Sequence, residues 1–116
     1  CFVEVKSVTL VRDDVALFPD APTARGARHM RELATAVSQG FRAMVIFVIQ
    51  REDAEYFAPN SAMDPEFAEA LRAAICANVE VTAVKCSIAE SGAITLCEAV
   101  PVSLRNSTPH PEQPNA

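Results

Sequence analysis

The chain has 116 residues, half of them hydrophobic and 22% charged, enough for one domain to bury a core unaided. Collagen-like, low-complexity and wholly disordered classes are excluded, and the longest apolar run, the seven residues from Ala43 to Ile49, falls far short of the ~20 that span a bilayer. Fifteen acidic against ten basic residues give a net charge of −5, so any contact with phosphate falls to a local patch.

From Phe2 to Val11 the sequence alternates. Phe2, Glu4, Lys6, Val8 and Leu10 share one face, and Val3, Val5, Ser7, Thr9 and Val11 share the other. Arg12-Asp13-Asp14 is a tight polar break and Val15 to Phe18 resumes as a strand, so the pair reads as a hairpin that Pro19 ends. Thr23 caps a helix running to about Gln39, with Met30, Leu33, Ala34 and Val37 as its apolar stripe and Gly40 as its stop. Ala43 to Ile49 is apolar without alternation, which predicts a central strand covered on both faces. Arg51 to Met63 is polar and reads as a loop with a short helical turn.

Asp64-Pro65-Glu66 starts a second helix, with a capping acid, a proline at the first position and an acid in the first turn. Its buried stripe is Phe67, Leu71, Ala74 and Ile75. Val79 to Ile88 and Ala93 to Val102 are strands around a Glu90-Ser91-Gly92 turn. Ser103 to Ala116 is polar with three prolines, and a disordered tail is expected there. The order β-β-α-β-α-β-β predicts an α/β domain (α+β mixed) over residues 1–104, with a central mixed β-sheet flanked by helices, and a tail over 105–116.

Cys1, Cys76, Cys86 and Cys97 lie far apart, without a C-x-x-C pair or a histidine at ligand spacing, which argues against zinc. Their apolar or small neighbours predict buried, reduced thiols and therefore a reducing compartment, the cytoplasm. The chain opens at Cys1-Phe2-Val3 in mid-strand, without an initiator methionine or a leader-like segment, so a fragment lacking its N-terminal part is expected.

Glu4-Val5-Lys6 carries the strongest chemical signal. Period-two geometry sets a carboxylate and an ammonium on one apolar face, which is costly unless they pair or hold a metal ion. Glu-x-Lys on a strand is an arrangement that metal-dependent nucleases use, the acid holding Mg²⁺ and the lysine steadying the attacking water or phosphate charge. The plain alternative is an edge-strand ion pair. Asp20 sits just past a strand end, and Arg25, His29 and Glu32 line one flank of the first helix. His29 is either a catalytic partner or a structural hydrogen-bonder. Gly26 lets that helix approach the sheet or a ligand closely. Between Ala21 and Arg51, Arg25, Arg28, Arg31, Arg42 and Arg51 meet only Glu32, which makes either a phosphate patch or an ordinary solvated surface. Gln50, at a strand end, positions a water or caps a carbonyl, and the cap is preferred.

These segments together resemble the C-terminal half of the sugar fermentation stimulation protein family. The matching blocks are Phe2 to Leu10, Ala16 to Ala21, Thr23, Arg25-Gly26, His29 and Glu32-Leu33. They continue through Phe47 to Arg51, Phe57 to Asn60 and Asp64 to Phe67. The similarity runs from Cys1 to about Leu104. It implies a PD-(D/E)XK restriction-endonuclease-like core in a bacterial DNA-binding protein tied to sugar utilisation, preceded in the family by a small OB-like domain. It further implies a catalytic set of Glu4, Lys6, Asp20 and His29, with Glu4 and Asp20 as ligands of Mg²⁺ or Mn²⁺. Arg25, Arg28, Arg31 and Arg51 would contact DNA with little sequence preference.

The sequence departs from the superfamily pattern, because the strand that supplies the first acid, expected before Glu-x-Lys, is absent. Without it the fragment is expected not to cleave DNA, and the Phe2 to Val11 strand keeps an open edge. Asn78 stands where the family usually has glycine, a change asparagine tolerates. Two other functions remain open on this reading: a non-catalytic DNA-binding regulator, and a structural or partner-binding domain in which Glu4 and Lys6 merely pair. No membrane partner is expected, and the oligomeric state is left open.

Overall fold

The computed structural model describes residues 1–88 and 90–104. Two sheets and two helices pack around one core. The first sheet has the order β1-β4-β6-β7, from β1 (Phe2–Val8), β4 (Ala43–Ile49), β6 (Glu80–Ile88) and β7 (Ile94–Ala99). β1, β4 and β6 are parallel, and β7 returns antiparallel on β6. The second sheet, β2-β3-β5, is built from β2 (Leu10–Arg12), β3 (Val15–Phe18) and β5 (Tyr56–Pro59). Helices α1 (Ala24–Ser38) and α2 (Pro65–Cys76) pack against each other. This is the expected mixed α/β class.

Local sequence accounts for most boundaries. Asp13 and Asp14 both take left-handed backbone (φ 51° and 69°), the paired positive angles that a two-residue hairpin turn needs. The Thr23 hydroxyl accepts the Gly26 N–H and starts α1, and Gly40 ends it at φ 94°. Asp64 caps α2 by accepting the Phe67 N–H at 3.0 Å, with Pro65 at the first helical position. Asn78 adopts φ 74°, the conformation for which glycine is the usual residue.

The core is aromatic where the layers meet. Phe47 of β4 stacks on Phe57 of β5, ring centroids 4.2 Å apart, and meets the ring of Phe67 from α2 edge-on at 6.4 Å. Phe18, at the end of β3, packs on Phe67 at 5.2 Å. Phe47, Phe57 and Phe67 are fully buried, so this cluster joins both sheets to α2 and fixes the level at which Pro19 and Asp20 leave β3.

Several expectations need correction. The run from Phe2 to Val11 is not one strand: it breaks at Thr9, and Leu10–Arg12 joins the second sheet. Alternation cannot distinguish a straight strand from one that changes sheet. The polar stretch from Arg51 to Met63 contains β5, four residues long and paired in parallel with β3. So short a strand has no periodicity of its own and owes its form to its partner.

β4 is covered on one face only. Ala43, Val45, Phe47 and Ile49 enter the core, whereas Met44, Ile46 and Val48 on the other face are half-buried and belong to no buried cluster. Both helices lie on the same side. The expected thiols also differ: Cys86 and Cys97 face each other across β6 and β7 and form a disulfide, and Cys1 and Cys76 are exposed. Cross-strand register brought that pair together, which spacing along the chain does not reveal. The expected tail, 105–116, lies outside the described residues.

Candidate functional site

Strand pleat and helix docking build the site. The even-numbered residues of β1 turn toward α1, so Glu4 and Lys6 share a face as alternation predicts, and Val8 below them is buried. Lys6 Nζ lies 3.2 Å from Glu4 Oε2 and 2.9 Å from His29 Nδ1, and the same carboxylate oxygen lies 3.3 Å from that ring nitrogen. The three side chains are 31% (Glu4), 13% (Lys6) and 19% (His29) exposed, enough shelter that each charge requires its partner.

The triangle has a built-in exclusivity. His29 Nδ1 carries either a lone pair or a proton. With a lone pair it accepts from the Lys6 ammonium. With a proton it donates to Glu4 and confronts Lys6. Lys6 is thus the donor common to a carboxylate and an imidazole. Glu4 and His29 also line a cleft of about 350 Å³ between β1 and α1, with Phe2, Leu33 and Glu32 around them. Glu32 joins them from one helical turn beyond His29, the flank expected from helical spacing.

Asp20 stands apart from this triangle. It is exposed, two residues past β3, and makes no ion pair or hydrogen bond among the described residues. The turn that carries it is nevertheless firmly held. Asn60 donates from Nδ2 to the Pro19 carbonyl at 3.0 Å, and its own N–H donates to the Phe18 carbonyl. Asp64 accepts from the Thr23 N–H at 2.8 Å while capping α2. Asn60 and Asp64 are the buried polar residues of the core, and they tie the Pro19 turn to the starts of both helices. Sequence reasoning found Asp64 as a cap but missed this second role, and it gave Asn60 none. The signal was an asparagine after proline in a polar stretch beside a helix start.

The arginines divide. Arg25 and Arg28 are exposed on α1, with no acidic partner among the described residues. Arg31 pairs with Glu66 of α2 at 2.9 Å, and Arg42 with Glu80 at 2.9 Å. Arg51 pairs with Asp53 at 2.6 Å, and its guanidinium holds the Asp53 carboxyl below its ordinary value of 3.8. Arg42 precedes β4 and Arg51 follows it, so about 20 Å of strand separates them. The set is therefore not one continuous patch, and α1 carries its unpaired part. Gln50 donates to the Ser7 hydroxyl at 3.4 Å on the face away from Glu4, and its side chain caps no carbonyl among the described residues. Gly26 does mark a close approach, but to Thr23 and the Phe67 ring of α2.

Mg²⁺ or Mn²⁺ would need oxygen ligands around Glu4. Among the described residues no group of three His, Cys, Asp or Glu side chains gathers at metal-binding spacing, and Lys6 already occupies the Glu4 carboxylate. These residues alone do not make a hard-cation site. Among the described residues no helix is long and apolar enough to cross a membrane.

Comparison with known proteins places this geometry. Residues 1–92 match the family model described as the sugar fermentation stimulation protein RE domain. A sugar fermentation stimulation protein homolog of Moorella thermoacetica is 59% identical over 88 residues, covering 76% of this chain and 38% of the relative. The homolog of Desulforamulus reducens is 51% identical over 104 residues, covering 90% of this chain and 43% of the relative. Among solved structures, that of Pyrococcus furiosus SfsA in complex with Ca²⁺ superposes with a TM-score of 0.81 at 36% identity, over 87% of this chain and 44% of that one. The chain thus spans about two fifths of the length of these relatives. The ordered blocks read from the sequence, the fold and the matched relatives agree, and the chain belongs to the sugar fermentation stimulation protein family.

Proposed function

We propose that this chain is the DNA-binding, nuclease-like part of its protein, and that metal-dependent strand cleavage needs residues beyond those it contributes. The observation carrying this reading is the meeting of Glu4, Lys6 and His29, of which Glu4 and His29 line a cleft against α1, the helix that also carries the unpaired Arg25 and Arg28. The two arginines supply exposed positive charge for phosphate, and Lys6 supplies a sheltered cation beside Glu4. Glu4 offers one carboxylate toward Mg²⁺ or Mn²⁺, and that the archaeal relative was solved with Ca²⁺ supports a cation near this fold. Asp20, exposed and unpaired on a held turn, is the proposed second acid, although it stands apart from the triangle. The incomplete ligand set makes the chain by itself a DNA binder that does not cut.

The Lys6–Glu4 ion pair favours a second reading, in which the same surface binds DNA as a non-catalytic regulator of sugar metabolism. Plasmid nicking with Mg²⁺ and with Mn²⁺, run on this chain and on the longer Moorella thermoacetica relative, separates the two. Nicking by the relative alone, lost when the glutamate matched to Glu4 becomes alanine, supports the first reading. DNA binding without nicking by either protein supports the second. Absence of DNA binding by both overturns both, and nicking by this chain that Glu4→Ala abolishes overturns the incompleteness of its site.

A further inference from the structure

We propose that the Cys86–Cys97 pair is an exchange site for low-molecular-weight thiols, at which Cys97 is the sulfur attacked and Cys86 the sulfur released. The inference is independent of the nuclease reading and rests on strand register and on the unequal exposure of the two cysteines.

Register sets Cys86 of β6 directly opposite Cys97 of β7, with Val84↔Ala99 and Lys85↔Glu98 on one side and Ser87↔Leu96 on the other. The two Cα atoms are 4.2 Å apart, the close spacing of an antiparallel pair whose members share no backbone hydrogen bond. Backbone pairing therefore keeps the two sulfurs within reach of each other whether or not they are bonded. Their surroundings differ: Cys86 is buried, at 5% exposure, while Cys97 is exposed. An incoming thiolate must reach one sulfur along the axis of the bond it breaks, so access selects the sulfur, and Cys97 offers it where Cys86 does not. This end of the hairpin is also lightly anchored. Glu98 and Ala99, beside Cys97, are exposed, and the ladder is irregular between Ser87 and Ile88, next to the bond. Opening of the bond should loosen β7 locally and leave the core intact.

In the reducing direction a small thiolate attacks Cys97 Sγ and bonds to it. The bond between the cysteines breaks, and Cys86 Sγ leaves with the electron pair and takes up a proton. A second small thiolate then attacks the small molecule's sulfur in this mixed disulfide and frees Cys97 as a thiolate. Two small thiols are thereby oxidised to their disulfide, and the protein bond is reduced to two thiols. In the oxidising direction the Cys97 thiolate attacks the small disulfide and releases one small thiolate. Cys86, held opposite by register, then attacks Cys97 Sγ and releases the second. Exposed Cys97 is thus the residue that carries the adduct, and buried Cys86 is the resolving thiol.

Mixtures of reduced glutathione and glutathione disulfide serve as the probe on the 116-residue chain, with Cys1→Ser and Cys76→Ser removing the other exposed thiols. Acid quenching followed by peptide mass mapping reads which cysteine carries glutathione. In this background Cys86→Ser should accumulate the adduct on Cys97, and Cys97→Ser should form it on Cys86 more slowly by about tenfold or more. Should either variant not fold, the order of attack is read from the intact pair, whose mixed disulfide is trapped by acid before it resolves. Reduced glutathione in native buffer should open the bond, and amide exchange should then quicken in β7 (Ile94–Ala99) and stay unchanged in β4 (Ala43–Ile49). An adduct on Cys86 in the intact pair, or equal rates at the two cysteines, overturns the proposal. So does a bond that glutathione opens only as fast as the whole chain unfolds, which would make it a structural staple.

Discussion

Asp64→Ala is the substitution that most directly probes how the site is held. The carboxylate is buried and accepts two backbone donors, the Phe67 N–H at 3.0 Å through Oδ1 and the Thr23 N–H at 2.8 Å through Oδ2. The first bond is the cap of α2, whose loss costs about 1 kcal/mol. The second leaves the Thr23 amide without its acceptor in a partly buried place, a further cost of about 1–3 kcal/mol. The expected total is about 2–4 kcal/mol, a large share of the stability of a domain this size. Asp64→Asn keeps an oxygen for Phe67 but turns an NH₂ toward the Thr23 N–H, so an intermediate loss of about 1–2 kcal/mol is expected. Urea unfolding followed by circular dichroism gives both values. If Asp64→Ala costs less than about 0.5 kcal/mol, Asp64 is not the tie between the two helix starts, and another contact fixes the Pro19–Asp20 turn.

Other perturbations separate the parts of the account. Gly26→Ala places a Cβ 2.9 Å from the Thr23 methyl and 3.2 Å from the Phe67 ring. Overpacking of about 1–3 kcal/mol should outweigh the helix-propensity gain of about 1 kcal/mol, and a raised unfolding midpoint would contradict this. Charge reversal at Arg25 and Arg28 together should lower DNA affinity and flatten its salt dependence more than reversal at Arg31, which Glu66 already engages. Fluorescence anisotropy at several salt concentrations reads the difference, and equal effects would refute the division of the arginines. Reduction of Cys86–Cys97, which closes a loop of 11 residues in sequence separation, should lower stability by about 2–3 kcal/mol. Identical urea midpoints with and without a phosphine reductant would show that the bond does not restrain the unfolded chain.

Much of this architecture was legible because local chemistry and tertiary demand agree. Thr23, Gly40, Asp64 and Pro65 mark helix ends by backbone needs that no tertiary contact reverses. Alternation placed Glu4 and Lys6 on one face for the same reason. What escaped depends on partners distant in sequence. β5 exists because β3 lies beside it, and the disulfide exists because register sets Cys86 opposite Cys97. The arginines looked like one patch because acidic partners for three of them, Asp53, Glu66 and Glu80, lie beyond the basic stretch in sequence. The sequence sets His29 on one flank of α1, and only the packing of α1 on β1 brings its ring to Lys6.

The central claim is that DNA meets the Glu4–Lys6–His29 cluster between β1 and α1. Amide chemical shifts of the isotope-labelled chain, followed during titration with a short duplex at low salt, test it most directly. The account predicts that the largest changes fall on Glu4, Lys6, Arg25, Arg28 and His29 and fade as salt rises. Changes absent from those residues and concentrated instead around Arg42 or on the Met44–Ile46–Val48 face would contradict it.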